Sequence, residues 1–376
     1  VKFRVERDVL ADAVAWAARS LPVRPPVPVL AGLLLDASSS GLTLSSFDYE
    51  VSARVQVAAD VEEPGRALVS GRLLAEIARS LPGRPVEVVT EGAKVVVLCG
   101  SARFTLLTLP VDDYPALPEM PTASGTVASD LFAASVAQVA VAAGRDDTLP
   151  VLTGVRVEIE GDTVTLAATD RYRLAVRELL WKPEQVGLSA VALVPARTLA
   201  DTAKSLTSGD DVTLALASAG AGEGMMGFEG NGRRTTTRLL EGDFPKYRAL
   251  LPNESAAVAS VETAAFVEAV KRVALVAERS TPIRLSFTAD GLVLEAGSGD
   301  EAQASEGVEA AFEGDDISIA FNPTFLLDGL GAIDAPVAQL SFTTPTKPAV
   351  LTGKAAADAE ANADYRYLIM PVRLSG

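Results

Sequence analysis

Asp112-Asp113-Tyr114-Pro115-Ala116-Leu117-Pro118 and Gly242-Asp243-Phe244-Pro245-Lys246-Tyr247-Arg248-Ala249-Leu250-Leu251-Pro252 follow one pattern. An acidic residue, an aromatic ring and a proline lead to a leucine-proline pair, a chain exit that continues neither a helix nor a central strand. A long internal period decides an architecture before any short motif does. The two exits place boundaries near 120 and 253 and divide the 376 residues into domains over 1–120, 121–253 and 254–376. Each is close to the usual domain size of about 100–150 residues.

Working outward from the exits, each third opens with a helix candidate. Leu10, Val14, Ala17 and Leu21 share one face within Asp8 to Leu21, and Phe266, Val270, Val273 and Ala277 repeat that spacing. The middle candidate runs from the cap-like Ser129-Asp130 to Gly144. A hairpin pattern follows each time: Leu33–Asp36 with Gly41–Leu44, Val155–Ile159 with Val164–Leu166, and Leu285–Phe287 with Leu292–Leu294. Each third then runs a strand directly into a second helix, Arg72–Leu81, Ala196–Leu206 and Thr324–Ile333. Each helix has one apolar stripe and each sheet one apolar face, so two helices cover one face of an antiparallel sheet in an α+β unit.

Composition narrows the chemistry. There is no histidine and a single cysteine, Cys99, which removes Ser-His-Asp and Cys-His arrangements and every histidine-containing or multi-cysteine zinc site. Cys99 follows Val95-Val96-Val97-Leu98 and reads as a small buried hydrophobe. A formal charge of −16 excludes a protein that coats nucleic acid with its whole surface, while a local basic strip stays open. The first residues carry Lys2, Arg4, Glu6 and Arg7 in place of an apolar core, so a cytoplasmic location is expected, and no apolar run is long enough to span a bilayer.

Other motifs lead nowhere. Gly222-Glu223-Gly224-Met225-Met226-Gly227 fits a dinucleotide fingerprint as a string, but Phe228 to Leu240 reads as a turn and strand where a helix N-terminus is needed. The pairs Asp112-Asp113, Asp146-Asp147, Asp210-Asp211 and Asp315-Asp316 lie beside turn signals and read as solvated loops. No catalytic or metal-binding constellation is expected.

Three repeated units, together with Thr169-Asp170-Arg171-Tyr172-Arg173-Leu174-Ala175, Phe244-Pro245-Lys246-Tyr247-Arg248, Met370-Pro371-Val372-Arg373-Leu374 and Arg24-Pro25 before Pro28-Val29-Leu30, give the whole chain a resemblance to the bacterial DNA polymerase III β sliding clamps. The resemblance implies three clamp domains of two helices on antiparallel sheet, closed into a ring as a head-to-tail homodimer. It also implies a non-catalytic processivity factor without cofactor or metal. Its partners would be encircled double-stranded DNA, a polymerase III alpha-type subunit, a clamp loader ATPase, and other polymerases and repair proteins carrying linear motifs.

Carried over by motif, the partner-peptide pocket comprises Leu152, Thr169, Arg173, Leu174, Pro245, Leu250, Asn322, Phe325, Val350, Met370, Pro371, Val372 and Arg373. Aliphatic groups and an adaptable Met desolvate an anchor, while Arg173, Asn322 and Arg373 are expected to orient the peptide. Read without the resemblance, the same residues fit ordinary packing at a domain junction. Arg72 and Arg79, and Arg197 and Lys204, sit on second helices and are candidates to face DNA or to form solvated helix faces; Arg24 and Arg145 join them by resemblance. Phe104, Leu106 and Leu275 match the family's dimer seam, with core packing as the alternative. The chain departs from the family pattern at Arg171, Tyr172, Phe325 and Val372, and in an insertion, Lys354 to Asp364, expected to be a mobile loop.

Overall fold

Six α-helices form among the described residues, and they begin within about three residues of the expected positions: α1 (Arg7–Ala18), α2 (Gly71–Ser80), α3 (Ser129–Ala140), α4 (Ala196–Ser205), α5 (Thr263–Val273) and α6 (Pro323–Ala332). The computed structural model describes residues 1–216, 224–279, 281–297 and 301–374. Local chemistry sets the ends. Ser70 Oγ accepts from Leu73 N at 3.4 Å to cap α2, and Asn322 Oδ1 accepts from Thr324 N (2.9 Å) and Phe325 N (3.2 Å) to cap α6, whose first residue is Pro323. The expected hairpins turn on Gly41 (φ +117°), Gly161 (φ +61°) and Gly291 (φ +127°), conformations that favour glycine.

The chain divides into two compact units. The first holds Val1–Ala133, Lys182–Ala190 and Asp201–Leu239. Here α1 and α2 pack together, and α1 lies on the strands Gly41–Phe47 and Val51–Val57. Strand Val51–Val57 pairs antiparallel with Arg233–Arg238, so one nine-stranded sheet runs through the boundary expected near 120. A five-stranded sheet ends on the edge strand Ala102–Leu107.

The second unit holds Ala134–Trp181, Val191–Ala200 and Leu240–Gly376. Strand Arg173–Leu180 pairs antiparallel with Ala361–Ile369, carrying a second nine-stranded sheet through the boundary expected near 253. A four-stranded sheet completes the unit, where α5 and α6 pack together. The α+β class is as the sequence leads one to expect.

One expectation changes in part. The ends of the Lys354 to Asp364 insertion belong to the hairpin Ala349–Lys354 and Ala361–Ile369, the buried Lys354 ammonium donates to Ala357 O at 2.8 Å, and 355–360 loop out. Gly222 and Glu223 of the glycine string lie outside the described residues, and its end forms the strand Met225–Gly230, with no helix after the glycines. No helix among the described residues is long and apolar enough to cross a membrane. Cys99 is buried, as expected.

Candidate functional site

The second unit gathers most of the expected pocket around one turn. Thr169 ends the strand Thr163–Thr169 and Arg173 begins the next, with Asp170-Arg171-Tyr172 between them. Asp170 Oδ1 accepts from Tyr172 N and Arg173 N, each at 3.0 Å, and Thr169 Oγ1 accepts from Arg171 N at 3.2 Å. Arg171 is thereby held at φ +80°, a conformation that costs a non-glycine residue about 1–2 kcal/mol. The turn sends Tyr172 outward and Arg173 inward.

Arg173 is buried, yet it carries an ion pair on each side. Its Nε donates to Asp170 Oδ2 at 3.1 Å and its Nη1 to Asp328 Oδ2 at 2.5 Å, and its guanidinium lies 4.4 Å from the Phe325 ring centroid. Burial works against the charge, but hydrogen bonds to Tyr367 and Asp328 outweigh it and hold the guanidinium protonated. Burial likewise pushes the Tyr367 hydroxyl up, and that hydroxyl donates to Phe325 O at 2.7 Å. Phe325 stacks on Tyr172, with centroids 6.2 Å apart. Arg173 thus braces the wall, and the Asn322 side-chain oxygen caps α6.

Beside this wall, Thr169, Leu174, Leu368 and Val350 face the same way across four adjacent strands. Leu174 and Leu368 are buried in a cluster with Ala167, Val176, Leu193, Phe244 and Tyr247, and Val350 packs against it half-buried. Leu152 is buried in the short turn Pro150–Thr153, and its carbonyl accepts from Gly144 N at 2.7 Å. Pro245 O accepts from Tyr247 N at 2.8 Å and starts the turn Tyr247–Leu250. Met370 N donates to Tyr172 O at 2.9 Å and Val372 N to Ala320 O at 2.8 Å, which lays Met370, Pro371, Val372 and Arg373 along the wall. Apolar side chains stay at the surface there: Tyr172 is 62% exposed, Leu250 52%, Met370 38% and Val372 38%.

Sequence reasoning missed one functional group, Glu158. Its carboxylate accepts from Arg156 Nε (2.6 Å), Arg248 Nη2 (2.6 Å) and Tyr247 Oη (3.1 Å), and so fixes the turn that carries Leu250. Burial works against its charge, but the two guanidiniums hold it below the usual carboxylate range. Burial, then the Glu158 charge, pushes the Tyr247 hydroxyl up. The alternation Arg156-Val157-Glu158 facing Tyr247-Arg248 was the available signal.

The remaining candidates lie elsewhere. Arg24, Arg72, Arg79, Arg145, Arg197 and Lys204 are all exposed, and none has an ion-pair partner among the described residues. Leu275 is 83% exposed in the turn Ala274–Val276, and Phe104 lies partly exposed on an edge strand. Leu106 follows the core-packing alternative: at 3% exposure it faces the core of its own unit, and Leu107 is the exposed leucine of that strand. Among the described residues no group of three acidic or cysteine side chains is placed to hold a metal; Asp146 instead accepts from Thr148 N and Oγ1 at 2.9 and 2.7 Å.

Comparison with known proteins covers the whole chain. Residues 1–118, 126–246 and 248–373 match the N-terminal, central and C-terminal domains of the DNA polymerase III beta subunit. The chain is 73% identical over 376 residues to the beta sliding clamp of Streptomyces coelicolor, with all of both chains covered. It is 51% identical over 373 residues to a beta sliding clamp homolog, GriR, of Streptomyces muensis, with 99% of each covered. Among solved structures, the sliding clamp of Bacillus subtilis superposes with a TM-score of 0.91 at 26% identity, covering 100% of this chain and 99% of that one. A Pseudomonas aeruginosa sliding clamp bound to griselimycin gives 0.91 at 28% identity, with 99% of each chain covered.

Proposed function

From its membership of the DNA polymerase III beta subunit family, to which the chain belongs as a beta sliding clamp, we propose that it forms a head-to-tail homodimer that encircles double-stranded DNA and tethers polymerases to it. As a processivity factor it works by topology and catalyses nothing itself. The observation that carries this reading is the pair of nine-stranded sheets, each continuous through a repeat boundary. Repeats join strand to strand at both boundaries, and open edges such as Ala102–Leu107 leave room for a second copy to continue the series.

The domains meet near 120 and 253. Phe104 at the first end and Leu275 at the other supply the apolar part of the seam. Arg24, Arg72, Arg79, Arg145, Arg197 and Lys204 face the DNA and meet phosphates without reading sequence. The apolar wall of the second unit receives short linear peptides of the polymerase III alpha-type subunit, the clamp loader ATPase, and other polymerases and repair proteins. Those partners act on DNA, which makes the cytoplasm the working compartment.

The test is retention on DNA. Loaded by an ATPase loader onto closed circular DNA, the protein persists at high salt and leaves when the circle is cut. Equal retention on circular and linear DNA overturns the reading.

A further inference from the structure

The turn that builds the apolar wall occurs a second time, in the first unit. Asp48 Oδ1 accepts from Glu50 N (2.9 Å) and Val51 N (2.7 Å), and Tyr49 sits at φ +72°, matching Asp170 and Arg171. Pro28-Val29-Leu30-Ala31-Gly32 precedes it as Pro150-Val151-Leu152-Thr153-Gly154 precedes the other, both as short helical turns. Leu109 N donates to Leu68 O at 2.8 Å, and Leu240 N to Leu193 O at 2.8 Å. In place of Thr169, Leu174, Leu368 and Val350, the row across four strands reads Phe47, Ser52, Thr236 and Gly227.

Only the covering differs in kind. Ser, Thr and Gly are smaller than Leu, Leu and Val, and the chain's own Met120 lies in the space they leave: a Cβ built on Gly227 would be 2.8 Å from Met120 Cγ. Leu117 packs on the cluster of Val29, Leu34, Phe47, Leu68 and Tyr114. Tyr114 is buried there with its hydroxyl lacking a well-formed hydrogen bond, and burial pushes that hydroxyl up to about 12. In the second unit, Leu251 packs down but Pro252 to Ala256 are all exposed, so the following linker does not lie back on its wall.

We infer that the first copy is a latent peptide-docking site held shut in cis, with Met120 occupying it as an apolar anchor of an incoming peptide would, while Leu117 packs as Leu251 does in the open copy. The ligand class is a short extended peptide with an unbranched apolar anchor three residues after a leucine. The inference rests on the reading of the second copy as a peptide site, and the experiment below separates the two.

All six tyrosines fall at 49, 114, 172, 247, 365 and 367, so fluorotyrosine in the full chain reports each copy separately by NMR. The probe is a synthetic peptide of residues 112–122. In the unsubstituted protein it is expected to shift Tyr172 and leave Tyr49 and Tyr114 unmoved. In Leu117→Ala with Met120→Ala, Tyr49 and Tyr114 gain a saturable shift, and the peptide binds at a second place per protomer. Met120→Ala alone is the milder variant, and unchanged Tyr365 and Tyr367 signals report an intact fold. Tyr49 and Tyr114 unmoved in a folded variant overturn the inference. If they move while Tyr172 never does, the latent site stands and the peptide reading of the second copy fails.

Discussion

Two copies of one junction, one in each unit, share backbone and hydrogen bonds and differ in side-chain size. Across the same four strands the first reads Phe, Ser, Thr, Gly and the second Thr, Leu, Leu, Val. The first places its bulk at one end and is filled by its own linker through Met120. The second leaves Tyr172, Leu250, Met370 and Val372 at the surface. An apolar set that a monomer leaves unburied marks a surface awaiting a partner. Duplication supplied the scaffold, and substitution at four positions and in one linker decided which copy faces outward.

The most severe way to break the comparison is to remove the second copy's anchors. Leu174→Ala with Met370→Ala is expected to weaken partner peptides by about 2 kcal/mol or more, roughly thirtyfold in Kd, while sparing dimerisation. Titration calorimetry and light scattering on the same sample check both halves. Leu174 is also core, so the variant's thermal unfolding shifts downward as well. An unchanged peptide titration removes the second copy from the list of docking surfaces.

A sharper test uses the turn common to both. Asp48 holds two backbone N–H groups, while Asp170 holds two and also pairs the Arg173 guanidinium. Losing the backbone acceptor costs about 1 kcal/mol in either place. Asp170→Ala also strips one partner from a buried cation, so its total is expected at about 2–3 kcal/mol against about 1 for Asp48→Ala. Denaturant unfolding measures the difference. Equal losses mean that Asp328 alone satisfies Arg173.

The left-handed residues give a smaller contrast. Arg171→Gly relieves a positive φ of +80° and is expected to stabilise by about 0.5 kcal/mol, once the extra freedom of glycine in the unfolded chain is subtracted. Tyr49→Gly relieves a similar φ but loses a ring contact with Phe47 at 5.5 Å, so it comes out near neutral. Thermal unfolding of the pair reads the difference.

What was legible in the sequence follows from what repeats there. Helices, hairpins and strand-into-helix units recur with turn residues that carry their own geometry, so helices could be placed from local signals such as Ser129-Asp130 for α3 and the Phe266, Val270, Val273 stripe for α5. Contacts between segments distant in sequence were not legible. Arg173 meets Asp328 across 155 positions, and nothing local in either segment announces the pair. Leu106 stayed open between seam and core because Phe104-Thr105-Leu106-Leu107 ends with a leucine on each face, and only the packed strand says which one is inside. The second copy of Pro-Val-Leu-x-Gly stood in plain view at 28–32 and 150–154, too short to single out until the matching turns and strand rows lay beside it.

The smallest effect separates the copies by charge. Where the second has Arg156 and Glu158 on the strand Gly154–Glu160, the first has Leu34 and Asp36 on Gly32–Ser38, so only the second builds the Glu158, Arg156, Arg248 and Tyr247 network. Burial opposes the Glu158 charge, yet the guanidiniums win and its pKa falls below the ordinary glutamate value. A carboxylate whose folded pKa is depressed contributes stability that is present above the unfolded value and is lost as pH falls through the folded one. From neutral pH down to about 4.5 the turn bearing Leu250 therefore keeps this support, and below that it loses it progressively. Glu158→Gln removes the charge at every pH and flattens this part of the acid limb, while Asp36→Asn leaves it intact. Comparing the acid unfolding curves of the two variants with the unsubstituted chain reads the effect directly, and a Glu158→Gln curve that keeps the full slope assigns the acid sensitivity to other carboxylates.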